Sequence, residues 1–275
     1  MVLKELPGQP LQEDSTLISI SKDKIMRKYF LLVLATGLFL SVSAVVWAAG
    51  QLEKDMAAFD KVYIPALALT SQTNKAAAEK AVKLTADQWM QFKKNNAAFF
   101  GKNAADQADL AIIDQLITDA ERSVRVNEKT DEAHEILEGV RNTLLKIRER
   151  NSIDYYIDYT TKFHEPMEAI VLTAKGRTAE TLTDTMLLKI RDNFKIAQQD
   201  WKNLQNASFD PALFSFDAKK DAQRQAYIRA ETEAMDRLKN ALENGDKGSI
   251  IKASMGIKSN FVNLFLLFGD FGKFK

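Results

Sequence analysis

Beyond residue 50 the apolar positions recur every three or four residues, the period of an amphipathic helix, and almost nowhere alternate with the period of two that marks a strand. Ala57, Val62, Ile64, Leu67, Ala68 and Val82 trace one face over residues 52–83. Pro65 is placed either to kink that helix or to open a new one at its first turn. Thr85-Ala86-Asp87-Gln88 resembles a capping box and predicts a second helix carrying Trp89, Phe92, Phe99 and Phe100, closed by Gly101-Lys102-Asn103. Leu110, Ile113, Leu116, Ile117, Ala120 and Val124 predict a third helix over 105–126. A fourth starts at Thr130 as N-cap, carries Ile136, Leu137, Val140, Leu144 and Ile147, and is expected to end near Phe163.

The order then begins again. Pro166 is expected to open a helix with Met167, Ile170 and Val171, interrupted at Gly176. Long helices are predicted over 181–206 and 217–243, separated by a loop at Phe209-Asp210-Pro211. Asn244-Gly245-Asp246-Lys247-Gly248 is a stop, and a last helix runs over 249–268. Pro65 with Ala68-Leu69-Thr70 echoes Pro166 with Val171-Leu172-Thr173, and Trp89 and Trp201 fall in the second helix of each half. The pattern reads as a weak internal duplication, or else as the likeness that all amphipathic helices share. The expected fold is all-α. An N-terminal transmembrane or signal helix precedes antiparallel bundles, as two tandem four-helix up-and-down units over 50–163 and 164–275.

One segment departs from this periodicity. Tyr29 to Ala49 reads as continuous apolar sequence without a charge, and Lys22, Lys24, Arg27 and Lys28 crowd its leading flank. About 20 helical residues rise roughly 30 Å, the thickness of a hydrocarbon core. The positive-inside rule places residues 1–28, a polar tail, in the cytoplasm and everything after Ala49 across the inner membrane, in the periplasm. Tyr29 and Trp47 are the interfacial aromatics. The alternative is a cleaved signal peptide with translation from Met26, which would leave the domain free in the periplasm. Phe261 to Phe268 is too short to span and contains Asn263.

Charge and composition narrow the chemistry. With 38 basic and 37 acidic side chains the net charge is +1, which gives no electrostatic reason to expect nucleic acid as a partner. The chain has no cysteine, which excludes disulfides, thiolate metal sites, iron–sulfur clusters and covalent haem attachment. No His-Glu-x-x-His pair, phosphate-binding glycine loop or glycine-flanked serine nucleophile occurs. The carboxylates sit at salt-bridging spacing and read as solvated helix faces, Glu138 with Asn142 among them.

The half-unit resembles the antiparallel bundle of the cytochrome c-prime class and its b-type four-helix relatives. Asp246 to Phe271 carries that resemblance: a charged turn, an amphipathic helix with Ala253 and Gly256, then Gly269-Asp270-Phe271. That family's final helix carries a Cys-x-x-Cys-His haem site, and here the stretch is Phe261-Val262-Asn263-Leu264-Phe265-Leu266-Leu267-Phe268. The resemblance therefore implies the fold and not the covalent haem.

Two histidines remain as candidates. His134, early in the fourth helix, reads as solvated. His164 stands in Phe163-His164-Glu165-Pro166-Met167, where His164 and Glu165 offer donors for a metal such as copper. An up-and-down bundle would bring His164 and Met167 near Met56, as a b-type haem requires. The competing reading makes His164 a structural residue at the junction of the halves. Phe209, Phe214 and Phe216 either seal one bundle end or meet a partner. Three functions stay open: a non-enzymatic, membrane-anchored binding or scaffold protein, a periplasmic haem- or metal-binding protein, and an envelope sensor or accessory protein acting through a partner. The first needs no cofactor and anchors to the bilayer through 29–49.

Overall fold

A computed structural model of the chain describes residues 50–72 and 74–274. The tail 1–28 and the apolar segment 29–49 lie outside the described residues. Among the described residues the protein is helical with no strand, and no helix is long and apolar enough to cross a membrane. Residues 52–275 form one compact unit.

Among the described residues, ten α-helices and a short 3-10 helix at Phe271–Phe274 build that unit. Helix α1 covers 50–70 of the described residues, α2 Lys75–Asn95, α3 Ala97–Phe100, α4 Ala104–Arg125 and α5 Thr130–Arg150. They are followed by α6 Tyr156–Ala174, α7 Asp184–Asn206, α8 Ala218–Asn244, α9 Lys247–Gly256 and α10 Lys258–Leu266. Side-chain caps set several starts. Asn74 accepts from Ala77 N, Asn103 from Ala105 N, Thr183 from Met186 N and Asp217 from Lys220 N. Gly245 ends α8 in the left-handed region at φ 74°, a conformation that costs glycine little.

Helix α1 is the axis of the unit. Phe59, Val62, Tyr63, Ile64, Ala66 and Leu67 are all buried, which leaves no solvent face over this stretch. Its neighbours tie to it by hydrogen bonds. Thr85 in α2 donates to the Val62 carbonyl (3.2 Å), Tyr63 donates to the Leu137 carbonyl in α5 (2.7 Å), and the Asp270 amide donates to the Lys61 carbonyl (2.8 Å). Gly269 lies against Pro65, where a Cβ would stand 2.9 Å from the proline Cδ, so the close approach requires glycine.

Several expected boundaries move. Pro65 neither ends α1 nor opens a helix; the chain turns instead at 71–72. Thr85 is no cap. It lies inside α2, buried, and its hydroxyl also bonds the Ala81 carbonyl within its own helix. Helix α5 stops at Arg150, and Ser152 takes a positive φ of 54° in the turn. Pro166 does not start a helix, because α6 is already under way from Tyr156. The division drawn between 163 and 164 therefore falls inside α6, and the connection between the two series of helices is at 151–155. The expected last helix is broken into α9 and α10 at Ile257.

The tryptophans that suggested a duplication make parallel bonds. Trp89 in α2 donates to Asp114 in α4 (2.6 Å), and Trp201 in α7 donates to Thr232 in α8 (3.0 Å). The three loop phenylalanines turn inward. Phe209 and Phe214 stack at 5.6 Å and, with Phe216, pack on Tyr156 and Phe268. Phe214 and Phe216 are buried, so the loop covers the core there.

Candidate functional site

Residues 134, 138 and 141 are spaced four and three apart on α5, which sets His134, Glu138 and Arg141 on one helix face. His164 and Glu168 repeat the four-residue spacing on α6. Lys258 begins α10, followed on the same side by Phe261 and Phe265. These side chains meet where α5, α6 and α10 converge beside the end of α1.

Two clefts share this group. One has a volume of about 260 Å³, and its apolar wall comes from Leu67, Phe261, Val262, Phe265 and Leu266. The other, of about 500 Å³, is the more polar, with Glu135, Asn142, Glu165, Glu168 and Lys189 on its sides. His134, Glu138, Arg141, His164 and Lys258 line both.

Arg141 organises the polar centre. It is only 5 % exposed, is ion-paired with Glu138 and donates through Nη2 to Nδ1 of His164. A guanidinium only donates, so Nδ1 of His164 carries the lone pair and Nε2 carries the proton. Burial, and then the positive charges of Arg141 and Lys258, lower the His164 pKa to about 2. The ring is neutral at any ordinary pH. Arg141 lies 5.8 Å from the centre of the Phe265 ring, and its buried Nε meets no acceptor. Lys258 pairs with Glu168 at 2.7 Å. Burial raises the pKa of Glu138, against the pull of Arg141 and His134.

His134 is not a solvated residue. Its Nδ1 is 2.8 Å from the Leu67 carbonyl, to which it donates, and it lines both clefts. Glu138 is likewise not on an open face: it is half-buried against Arg141.

The expected ligand set is not assembled. His164 is in the clefts, whereas Glu165 is exposed on the polar side. Met167 is fully buried in the core. Met56 is also buried, eleven residues before Leu67, or about 16 Å along the α1 axis from the residue that faces His164. The bond from Tyr155 to Asp60 fixes this register. The start of α6 is level with Asp60, and His164, further along α6, is level with Leu67 rather than with Met56. A metal-binding imidazole needs a free lone pair on a ring nitrogen, and the one on His164 is held by Arg141. His164, Glu165, Met167 and Met56, as placed, do not fit haem or copper, and among the described residues no group of three or more His, Asp or Glu is placed to hold a metal ion.

Arg141, Lys258 and Glu168 were not singled out by their sequence, and Glu138 was read only as part of a solvated face. One signal was available: Arg141 and Arg148 sit seven apart in line with Leu137 and Leu144, basic residues at positions the helical period turns inward. A cation on a core-facing stripe must find a buried partner.

Comparison with known proteins finds no matching protein family, and no curated protein or solved structure that is significantly similar to this chain.

Proposed function

We propose that this is a non-enzymatic binding protein, tethered to the membrane by residues 29–49 with its helical unit outside the cytoplasm, and that a small molecule binds in the cleft between α1, α5, α6 and α10. The observation that carries the binding reading is the cleft itself: an apolar wall facing a buried, charge-balanced polar group. The tether rests on the charge-free run with its basic leading flank. His164 supports binding over acid–base chemistry, because a ring with a pKa near 2 and its lone pair engaged is a poor proton acceptor near neutral pH. An envelope partner would then read out whether the cleft is filled.

The test uses the full chain in lipid nanodiscs and a panel of small polar and amphiphilic compounds, with thermal unfolding as readout. Val262, half-buried on the apolar wall, is changed to Trp to fill the cleft. A compound that raises the melting temperature of the wild type and not of Val262→Trp supports the reading. Equal shifts for both proteins, or no shift across the panel, would sink it. For the tether, a reporter active only outside the cytoplasm is fused after Lys275, and an inactive fusion counts against it.

A further inference from the structure

The cleft's hydrogen-bonding surplus is mainly of donors. Its two glutamates are taken up by cations, Glu138 by Arg141 and Glu168 by Lys258. Apart from Glu168 Oε2, which stands 2.7 Å from the Lys258 ammonium without a hydrogen bond, what remains are donors. Arg141 Nε–H is buried and without an acceptor, and His164 keeps its proton on Nε2. Lys258 has further N–H groups beyond the one given to Glu168. A buried donor with no acceptor forfeits its hydration without return, so the arrangement gains from a ligand that brings oxygen.

The shape of the fork narrows the choice. Glu138 meets Arg141 at Nη2 and leaves Nε bare. A carboxylate arriving side-on engages Nε together with an Nη, the bidentate geometry that a guanidinium prefers. Glu138 is the group that gives way, since its burial already disfavours its charged form. Opposite this corner stand Leu67, Phe261 and Phe265, and the volume of about 260 Å³ has room for roughly nine water-sized groups.

Resting on the binding reading above, we propose that the cleft takes a small monocarboxylate with an apolar body. The carboxylate sits among Arg141, His164 and Lys258, and the body lies against Leu67, Phe261 and Phe265. Phosphate or a dianion is disfavoured, because one guanidinium fork beside the retained Glu168 offers no cation for a second negative charge.

Hexanoate is the probe, with hexanamide, 1-hexanol and hexylamine as size-matched comparisons. Binding to the full chain in nanodiscs is measured by titration calorimetry against empty nanodiscs. Hexanoate is expected to bind about tenfold tighter than hexanamide or hexanol, with hexylamine weakest. Arg141→Lys keeps the charge and removes Nε, and is expected to weaken hexanoate about tenfold while leaving hexanol unchanged. If Arg141→Lys does not fold, Lys258→Met serves in its place. It spares the Arg141–Glu138 pair and is expected to lower hexanoate affinity severalfold. Hexanamide or hexanol binding as tightly as hexanoate, or unchanged hexanoate affinity in the folded variant, overturns the carboxylate assignment and leaves a binding cleft of another specificity. Failure of all four probes also overturns it, and the broader compound panel then decides the binding reading separately.

Discussion

Tyr155 gives its hydroxyl proton to Asp60 at 2.6 Å inside the core, joining the start of α6 to α1. Burial raises the Asp60 pKa to about 6, even with Arg148 nearby to lower it. Between pH 3.8 and 6 the folded state therefore holds the proton that the unfolded state has lost, and stability falls as pH rises through that window. Asp60→Asn removes the titration. Relative to this variant, the wild type should lose up to about 3 kcal/mol between pH 4 and 7. Urea midpoints across that range check it, and a pH-independent difference would show that Asp60 is ionised throughout.

Arg148 lies over the same Tyr155 ring, 4.9 Å from its centre, and grips Asp158 through both Nε and Nη2. Both side chains are buried. Removing one partner strands the other charge, so Arg148→Met should cost about 3–5 kcal/mol. Adding Asp158→Leu should recover most of that loss, since an apolar pair of similar volume replaces a desolvated ion pair. Chemical denaturation of the two single variants and the double variant gives the cycle. A double variant as unstable as the worse single one would mean that the pair stabilises beyond its desolvation cost.

The helical class was legible because the period of the apolar positions dictates it. The limits of α4, α7 and α8 lie within three residues of the expected 105–126, 181–206 and 217–243. The errors came where a local signal had two meanings. Pro65 and Pro166 are good helix starters, yet both stand in helices held by packing; Pro166, fully inside α6, leaves the Lys162 carbonyl without its i+4 donor. Thr85 looked like a cap, but a threonine buried inside a helix satisfies its hydroxyl on the turn before it. The clefts were hidden for a different reason. His164 could be found by residue type, but its partners Arg141, Lys258 and Glu168 are brought to it by tertiary packing, and a sequence full of balanced charge does not mark which few are turned inward.

His164 carries the opposite pH dependence from Asp60. Its folded pKa is lowered to about 2 from an ordinary 6.5, so below 6.5 the unfolded state binds the extra proton. The stability it contributes is complete above pH 6.5 and is lost as pH falls. Relative to His164→Gln, the wild type should lose about 2 kcal/mol between pH 6.5 and 5. Nitrogen chemical shifts of the ring offer a direct check: protonated Nε2 with unprotonated Nδ1 at pH 6 is expected. Double protonation at that pH would contradict the bond from Arg141.

Glu231 is the least reconciled charge-bearing group in the fold. It lies in α8, fully buried, and neither carboxyl oxygen has a partner at full hydrogen-bond geometry. Burial pushes its pKa to about 9, with only weak opposition from the Phe261 amide and Arg237. It is therefore protonated in the folded protein at pH 7 and ionised in the unfolded chain. The stability it contributes is present below pH 4.5 and is lost as pH rises toward 9. Glu231→Gln keeps the shape of the neutral acid and abolishes the proton uptake. The variant should be more stable than the wild type by up to about 3 kcal/mol at pH 7, with the gap closing near pH 4.5 and widening to pH 9. Thermal melts at the three pH values measure this. A variant less stable than the wild type at pH 7 would mean that the carboxyl makes a favourable bond in the fold that the amide cannot reproduce.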